Sequence, residues 1–288
     1  MAIELYKNDG DEVYKVKLTA PNDAECVIYT YGATVTSWKV QGKELLFVSK
    51  LAKLDGTKAI RGGIPIVFPQ FGPGKLPQHG FARNTNWKVV DQDNKTGDMA
   101  TVHFELTDSE ATRASEWPYR FRLLYKVTLT GTTLSTIIEY ENLDSSAFDF
   151  TTLMHTYFRT SDVAGVKVKG LDGIKYVDKI LGQSDVVETR KDVIVDKNED
   201  RVYVDVPGEV LVDGVGSEDG RVIVKRFNYK DIVFWNPWEE KAKEMSDFGD
   251  DEYKEMVCVE AGSVAKPVSL EPGSKWVGGQ LLRLAPKA

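Results

Sequence analysis

Glu260 closes the run Met256-Val257-Cys258-Val259-Glu260, and strand alternation puts its carboxylate on the face of Met256 and Cys258, at the edge of an apolar row. Burying such a group unpaired is costly or forces protonation, so Glu260 stands at the mouth of a site or beside a cation. His155 lies in the run 148–158, which is apolar on both faces as a central strand would be. Alternation groups Thr151, Leu153, His155 and Tyr157 against Phe150, Thr152, Met154 and Phe158. A histidine there is either a hydrogen-bonded core residue or, facing a cleft, a group that moves protons near neutral pH. A third segment, residues 61–83, holds four prolines and five glycines, too many for regular ladder strands, and so reads as a shaped loop. It carries Arg61, Gln78, His79 and Arg83. Two arginine forks with an amide and an imidazole suit an anion and hydroxyl groups, although either arginine could instead pair with a surface carboxylate.

Two further segments invite a reading. Trp235-Asn236-Pro237-Trp238 offers two aromatic platforms on which a sugar ring could stack, or two indoles that fill core. The acidic stretch 247–252 lacks the ligand spacing of a calcium loop and reads as a solvated loop. Cys26 and Cys258 have no zinc-type spacing, and with only His79, His103 and His155 a histidine-rich metal site is not expected. Walker A, dinucleotide-binding, HExxH and GxSxG patterns are all absent, which removes most weight from nucleotide-dependent, zinc-protease and serine-hydrolase chemistry.

The elements that must position these residues read as strands. Segments 13–18, 25–30, 34–40, 45–48, 100–106, 121–130, 133–140, 148–158, 166–169, 201–206, 221–227, 232–235, 255–260 and 275–284 are rich in β-branched and aromatic residues and bounded by turn formers. Helical period is confined to two places. Thr107 to Glu110 fits a capping box opening a short helix to about Ser115, and residues 239–245 could make two turns. Neither is long enough for a parallel crossover, so the expectation is an all-β, mostly antiparallel sandwich with few short helices, residues 1–288 forming a single domain. The formal charge of −7 argues against a general grip on nucleic acid or anionic lipid. No apolar run is long enough to span a membrane as a helix, and the N-terminus lacks the apolar core of a secretory signal. Two free thiols in the cytoplasm are the expectation.

In order along the chain, RGGIPIVFPQFGP, LPQHGFARN, LMHTYF, DRVY, WNPW, MSDFGDDEYKEMVCVEAG and Leu270-Glu271-Pro272-Gly273 resemble the glucose-6-phosphate 1-epimerases, or hexose-6-phosphate mutarotases, of the aldose 1-epimerase group. The resemblance implies a galactose-mutarotase-like β-supersandwich, interconverting the α and β anomers of a hexose 6-phosphate. Matched residue by residue, it makes His155 and Glu260 catalytic. It places Arg61 and Arg83 at the phosphate, and Gln78, His79 and Asp200 against the sugar, with Asp196 and Glu199 close rivals of Asp200. Trp238 is expected beside the substrate. The chemistry agrees: mutarotation needs a base at O1 and an acid at the ring oxygen, here Glu260 and His155, and no metal or redox cofactor. The expected partner is the small-molecule hexose 6-phosphate, bound by a monomer. The alternatives are a mutarotase for a non-phosphorylated aldose and a non-catalytic carbohydrate-binding sandwich.

Overall fold

A computed structural model describes residues 1–94 and 97–286, and its strands form three antiparallel sheets. The small sheet is a meander of Ala2–Lys7, Val13–Ala20, Ala24–Tyr29, Thr34–Val40 and Lys43–Glu44. The outer sheet runs Lys167–Lys169, Val210–Asp213, Arg221–Phe227, Lys275–Leu284, Thr133–Asn142, Phe121–Leu129, Ala100–Thr107 and Lys88–Asp93. The central sheet runs Gln183–Val187, Lys175–Asp178, Glu199–Tyr203, Asp231–Asn236, Met256–Leu270, Phe148–Met154 and Ile66–Val67, with Tyr157–Arg159 also paired to Met256–Leu270. No helix of the described residues is long and apolar enough to cross a membrane.

One face of the central sheet packs on the outer sheet. Phe150, Met154, Phe158, Phe234, Val257 and Val259 share a core with Tyr125, Ile138, Tyr140, Val224 and Leu282. Fully burying such side chains stabilises by about 1.5–3 kcal/mol each. Polar groups that cross this layer are paired: the hydroxyls of Tyr140 and Thr152 lie 2.6 Å apart, and Gln280 Nε2 donates to Thr156 Oγ1 at 2.8 Å. The opposite face carries Leu153, Val202 and Val233 in one cluster, and Tyr157, Met256 and Cys258 in another. The expected division of residues 148–158 between two faces therefore holds.

Several boundaries differ from the sequence reading, each for a physical reason. The helix expected from Thr107 begins at Glu110, because Thr107 is still paired to Arg122 in the outer sheet. Its cap is Ser109, whose hydroxyl accepts from the Thr112 N–H while the Thr112 hydroxyl accepts from the Ser109 N–H. Residues 45–48 make only isolated bridges, Leu46 to Phe158 and Val48 to Gly62. The strand expected to end at Glu260 continues to Leu270, since Gly262 lets the chain pass close to Thr152: a Cβ there would lie 2.6 Å from the Thr152 carbonyl oxygen. Within the loop expected to lack ladder strands, Ile66–Val67 pair with Leu153 and Met154. Cys26 and Cys258 are free, as expected, and both are buried.

Candidate active site

The site grows from a break in the central sheet. Leu153 pairs with Gly262 and Tyr157 pairs with Cys258, so the register carried between them sets His155 opposite Glu260. The ladder is interrupted at His155 and Thr156: the His155 N–H donates to Pro65 O and the Thr156 N–H turns back to Met154 O. The Gln280 amide secures Thr156 from the far side of the sheet. His155 Nδ1 lies 3.2 Å from Glu260 Oε1, and both side chains are buried. The pair is close but off the line of a hydrogen bond, and neither His155 Nδ1 nor Glu260 Oε2 has a hydrogen-bond partner. Two orphaned polar atoms at this depth are costly unless something else meets them.

Burial disfavours charge on both members. It pushes the Glu260 carboxyl well up, reinforced by Asp200, and pushes the His155 imidazole well down, reinforced by His79, Arg83 and Arg61. With one proton between the two, whichever member holds it is an acid and the other a base.

His155 is boxed by rings. Tyr157 stacks on it at 4.6 Å and 9°, while Trp235 and His79 stand edge-on at 5.9 and 5.7 Å. His79 is held in a left-handed backbone conformation, φ 68°, by two bonds to Gly72: its N–H donates to the Gly72 carbonyl and its Nδ1 accepts from the Gly72 N–H at 3.1 Å. Accepting at Nδ1 leaves its proton on Nε2. Burial first, then Arg83, lowers its pKa to about 3, so His79 is a neutral donor rather than a cation. Gly63, at φ 68°, brings the loop that carries Arg61 against the strand Thr34–Val40, where a Cβ would meet Val35 O at 2.0 Å.

The two arginines differ. Arg61 is engaged: Asp247 Oδ1 lies 3.2 Å from Nη2 and accepts from Nε at 3.3 Å, while Nη1 donates to the Tyr157 hydroxyl at 3.4 Å. Arg83, in the short helix Ala82–Asn84, donates from Nη2 to Gln78 O at 2.8 Å. Its Nε is buried without a partner, and among the described residues no carboxylate pairs with it. Burial and the positive charge of Arg61 both weigh against it, so Arg83 is a cation short of an anion. Gln78 is exposed at the rim.

Asp200 faces the same side. Register aligns it with Trp235, and Trp235 with Cys258. Glu199 points to the opposite face, where it meets Arg201 at 2.9 Å, and Asp196 is exposed. Asp200 is thus the acidic side chain of this segment on the site face, and Lys179 Nζ lies 3.7 Å from it and 4.8 Å over the Phe71 ring. Trp238 departs from expectation. Its backbone turns to φ 58° as the helix Trp238–Glu244 begins, its ring packs on Tyr253 at 5.3 Å, and Trp235 is the indole beside His155. The acidic stretch 247–252 is not simply solvated. Asp247 is buried on Arg61 and Lys58, and Glu252 accepts from the Ser49 hydroxyl and the Lys50 and Gly249 N–H groups.

Asp247, Tyr157 and Lys179 were not singled out from sequence as site residues, and of the two indoles offered as platforms it is Trp235 that stands beside His155. Asp247 has a consequence for stability. Asp247→Ala should cost about 3 kcal/mol, since Arg61 would be left in place without its carboxylate, and a shifted midpoint of urea unfolding at constant slope would register it. Cys258 Sγ, His155 and Glu260 offer ligand atoms within 4.8 Å of one another, but burial keeps the thiol protonated, with its pKa well above the usual value.

The three-sheet architecture, with His155 and Glu260 paired on one face of its central sheet, is that of a mutarotase-like sandwich. A crystal structure of a provisionally named mutarotase from Salmonella typhimurium superposes with a TM-score of 0.87 at 29% identity, covering 99% of this chain and 97% of that one. A galactose mutarotase-like protein from Clostridium acetobutylicum shares the fold at a TM-score of 0.75 and 18% identity, covering 100% and 99% of the two chains. The aldose 1-epimerase family model matches residues 14–283, and the chain belongs to that family: it is an isomerase that interconverts sugar anomers. A protein of Cenchrus ciliaris, provisionally named glucose-6-phosphate 1-epimerase, is 38% identical over 95% of this chain and 85% of its own length. One of Escherichia coli with the same provisional name is 35% identical over 80% of this chain and 76% of its own.

Proposed function

We propose that the substrate is a hexose 6-phosphate, glucose 6-phosphate above others, and that His155 and Glu260 open and reclose its ring. The observation that carries this reading is an acid–base pair 3.2 Å apart next to an arginine that lacks an anion. Glu260 takes the proton of the O1 hydroxyl while His155 gives one to the ring oxygen; C1=O1 forms as C1–O5 breaks. Rotation about C1–C2 and the reverse transfers onto the other face give the other anomer. Each group is worth about 10²–10⁴-fold when placed on its proton.

The neutral imidazole of His79 donates from Nε2 and polarises an oxygen near the reacting carbon, and Asp200 holds ring hydroxyls. Trp235 supplies the ring face beside His155, with Trp238 behind it. Arg83 takes the phosphate directly, with Gln78 at its rim and Arg61 beneath. Binding energy from the phosphate keeps C1 and O5 against the acid–base pair. The enzyme acts as a monomer in the cytoplasm, in keeping with its free buried thiols.

An exchange assay tests the reading. Two-dimensional NMR exchange or polarimetry on freshly dissolved α-glucose 6-phosphate and α-galactose should show a catalysed rate well above background for the first and a much smaller one for the second. Equal kcat/KM on both would favour a neutral-aldose mutarotase. A chelator should leave the rate unchanged; inhibition that a divalent metal reverses would replace this mechanism.

A further inference from the structure

The arginines and the acid–base pair are joined by one side chain. Tyr157 is 1% exposed; its hydroxyl accepts from Arg61 Nη1 at 3.4 Å, and its ring lies flat on the His155 imidazole at 4.6 Å and 9°. Trp235 closes the other edge of both rings, at 6.0 Å from Tyr157 and 5.9 Å from His155. The contacts therefore run without a gap from Asp247 through Arg61 and Tyr157 to His155 and Glu260. In a packed interior a tilt of one member is transmitted to the next. We propose that Tyr157 is a positioning residue that couples an anion seated at Arg61 and Arg83 to the His155–Glu260 pair, so that the phosphate of the substrate speeds proton transfer as well as tightening binding.

The inference rests on the hexose 6-phosphate reading and deepens it. Its electrostatic sense is consistent. The groups around His155 are Glu260 and Cys258 on the neighbouring strand, His79 and Arg83 from the loop, and Arg61 across Tyr157, with Asp200 and Lys179 on the far side of Glu260. After burial, the charges that oppose a proton on His155 are those of Arg83 and Arg61, with the His79 imidazole edge-on beside them. A dianion against the arginines cancels that opposition in a medium of low dielectric, where charges act strongly over several ångströms. It would favour the form in which His155 holds the proton that the ring oxygen receives. An anion that fixed the Arg61 guanidinium would fix with it the Tyr157 hydroxyl it donates to, and so the ring stacked on His155.

The test separates phosphate from sugar. Turnover of free α-glucose is measured with and without saturating phosphite, an anion that cannot become part of the product. In the wild type phosphite should raise kcat for free glucose by on the order of tenfold. In Tyr157→Phe, which keeps the ring and removes the hydroxyl, that activation ratio should fall to near one. For glucose 6-phosphate the same variant should lose on the order of tenfold in kcat, with KM changed less than about threefold because Arg83 still holds the phosphate. A tyrosine that is merely structural would lower turnover with and without phosphite alike and keep the ratio. Phosphite that leaves glucose turnover flat, or only inhibits it, in a wild type that prefers glucose 6-phosphate overturns the coupling and spares the substrate reading; this arm needs no variant to fold. A wild type with equal kcat/KM on both sugars defeats the substrate reading, and the coupling with it.

Discussion

His155→Ala and Glu260→Gln should each abolish nearly all catalysed anomerisation, a loss of about 10²–10⁴-fold in kcat, with the fold intact. The reason lies in the proton inventory. With one proton on the pair 3.2 Å apart, one member is an acid and the other a base, and the proposed ring opening uses both at once. Alanine at 155 leaves the ring oxygen without a donor; glutamine at 260 fills the same volume but cannot take the O1 proton. Because the groups act as a unit, the double variant should be little slower than either single one. Polarimetry of α-glucose 6-phosphate, with spontaneous mutarotation subtracted, measures the effect, and circular dichroism checks the fold. A variant that keeps near-wild-type turnover would remove its residue from the mechanism.

Arg83→Ala should erase most of the preference for a phosphorylated over a free hexose. A charge-assisted contact is worth about 1.5–3 kcal/mol, or about 10- to 150-fold in kcat/KM. The free sugar has no phosphate to lose and should be affected much less. Arg61→Ala should act in the same direction with a second consequence, because it also leaves Asp247 with Lys58 alone and strips Tyr157 of its donor. Lysine at 83 should rescue only in part, since a point charge does not reproduce the planar fork. Sulfate should compete with glucose 6-phosphate in the wild type and less so in Arg83→Ala. The contrast between the arginines comes from their partners: Arg61 already has a carboxylate, whereas Arg83 Nε is buried with none. Measured across wild type and both variants, the ratio of kcat/KM for glucose 6-phosphate to that for glucose decides the matter; a ratio that stays constant refutes a phosphate site at these arginines.

Much of this was legible in the chain itself. Thr34–Val40, Arg221–Phe227 and Lys275–Leu284 were read to the residue, because β-branched, aromatic and aliphatic residues bounded by turn formers mark such strands, and in Arg221–Phe227 the buried face also prints its period. The strands that went unread include Ala2–Lys7, Lys88–Asp93 and Gln183–Val187, each the outermost strand of its sheet. An edge strand buries little and carries charge that discourages pairing with other chains, so its alternation is faint. The chemistry followed the same division. Residue type and local pattern were enough to mark His155, Glu260, His79, Arg61 and Arg83, since imidazole, carboxylate and guanidinium are costly to place in apolar or glycine- and proline-rich surroundings without a partner. Which partner each one meets depended on contacts between distant segments. Sheet register brings residue 260 opposite residue 155, and a ladder break lets the imidazole turn toward it. A loop more than 180 residues along the chain supplies Asp247 to Arg61. The turn that opens a helix sends Trp238 toward Tyr253 and leaves Trp235 at the site. Those outcomes belong to tertiary packing because a side chain's partner is fixed by the closure of the whole sandwich, whereas its need for one is a property of the residue.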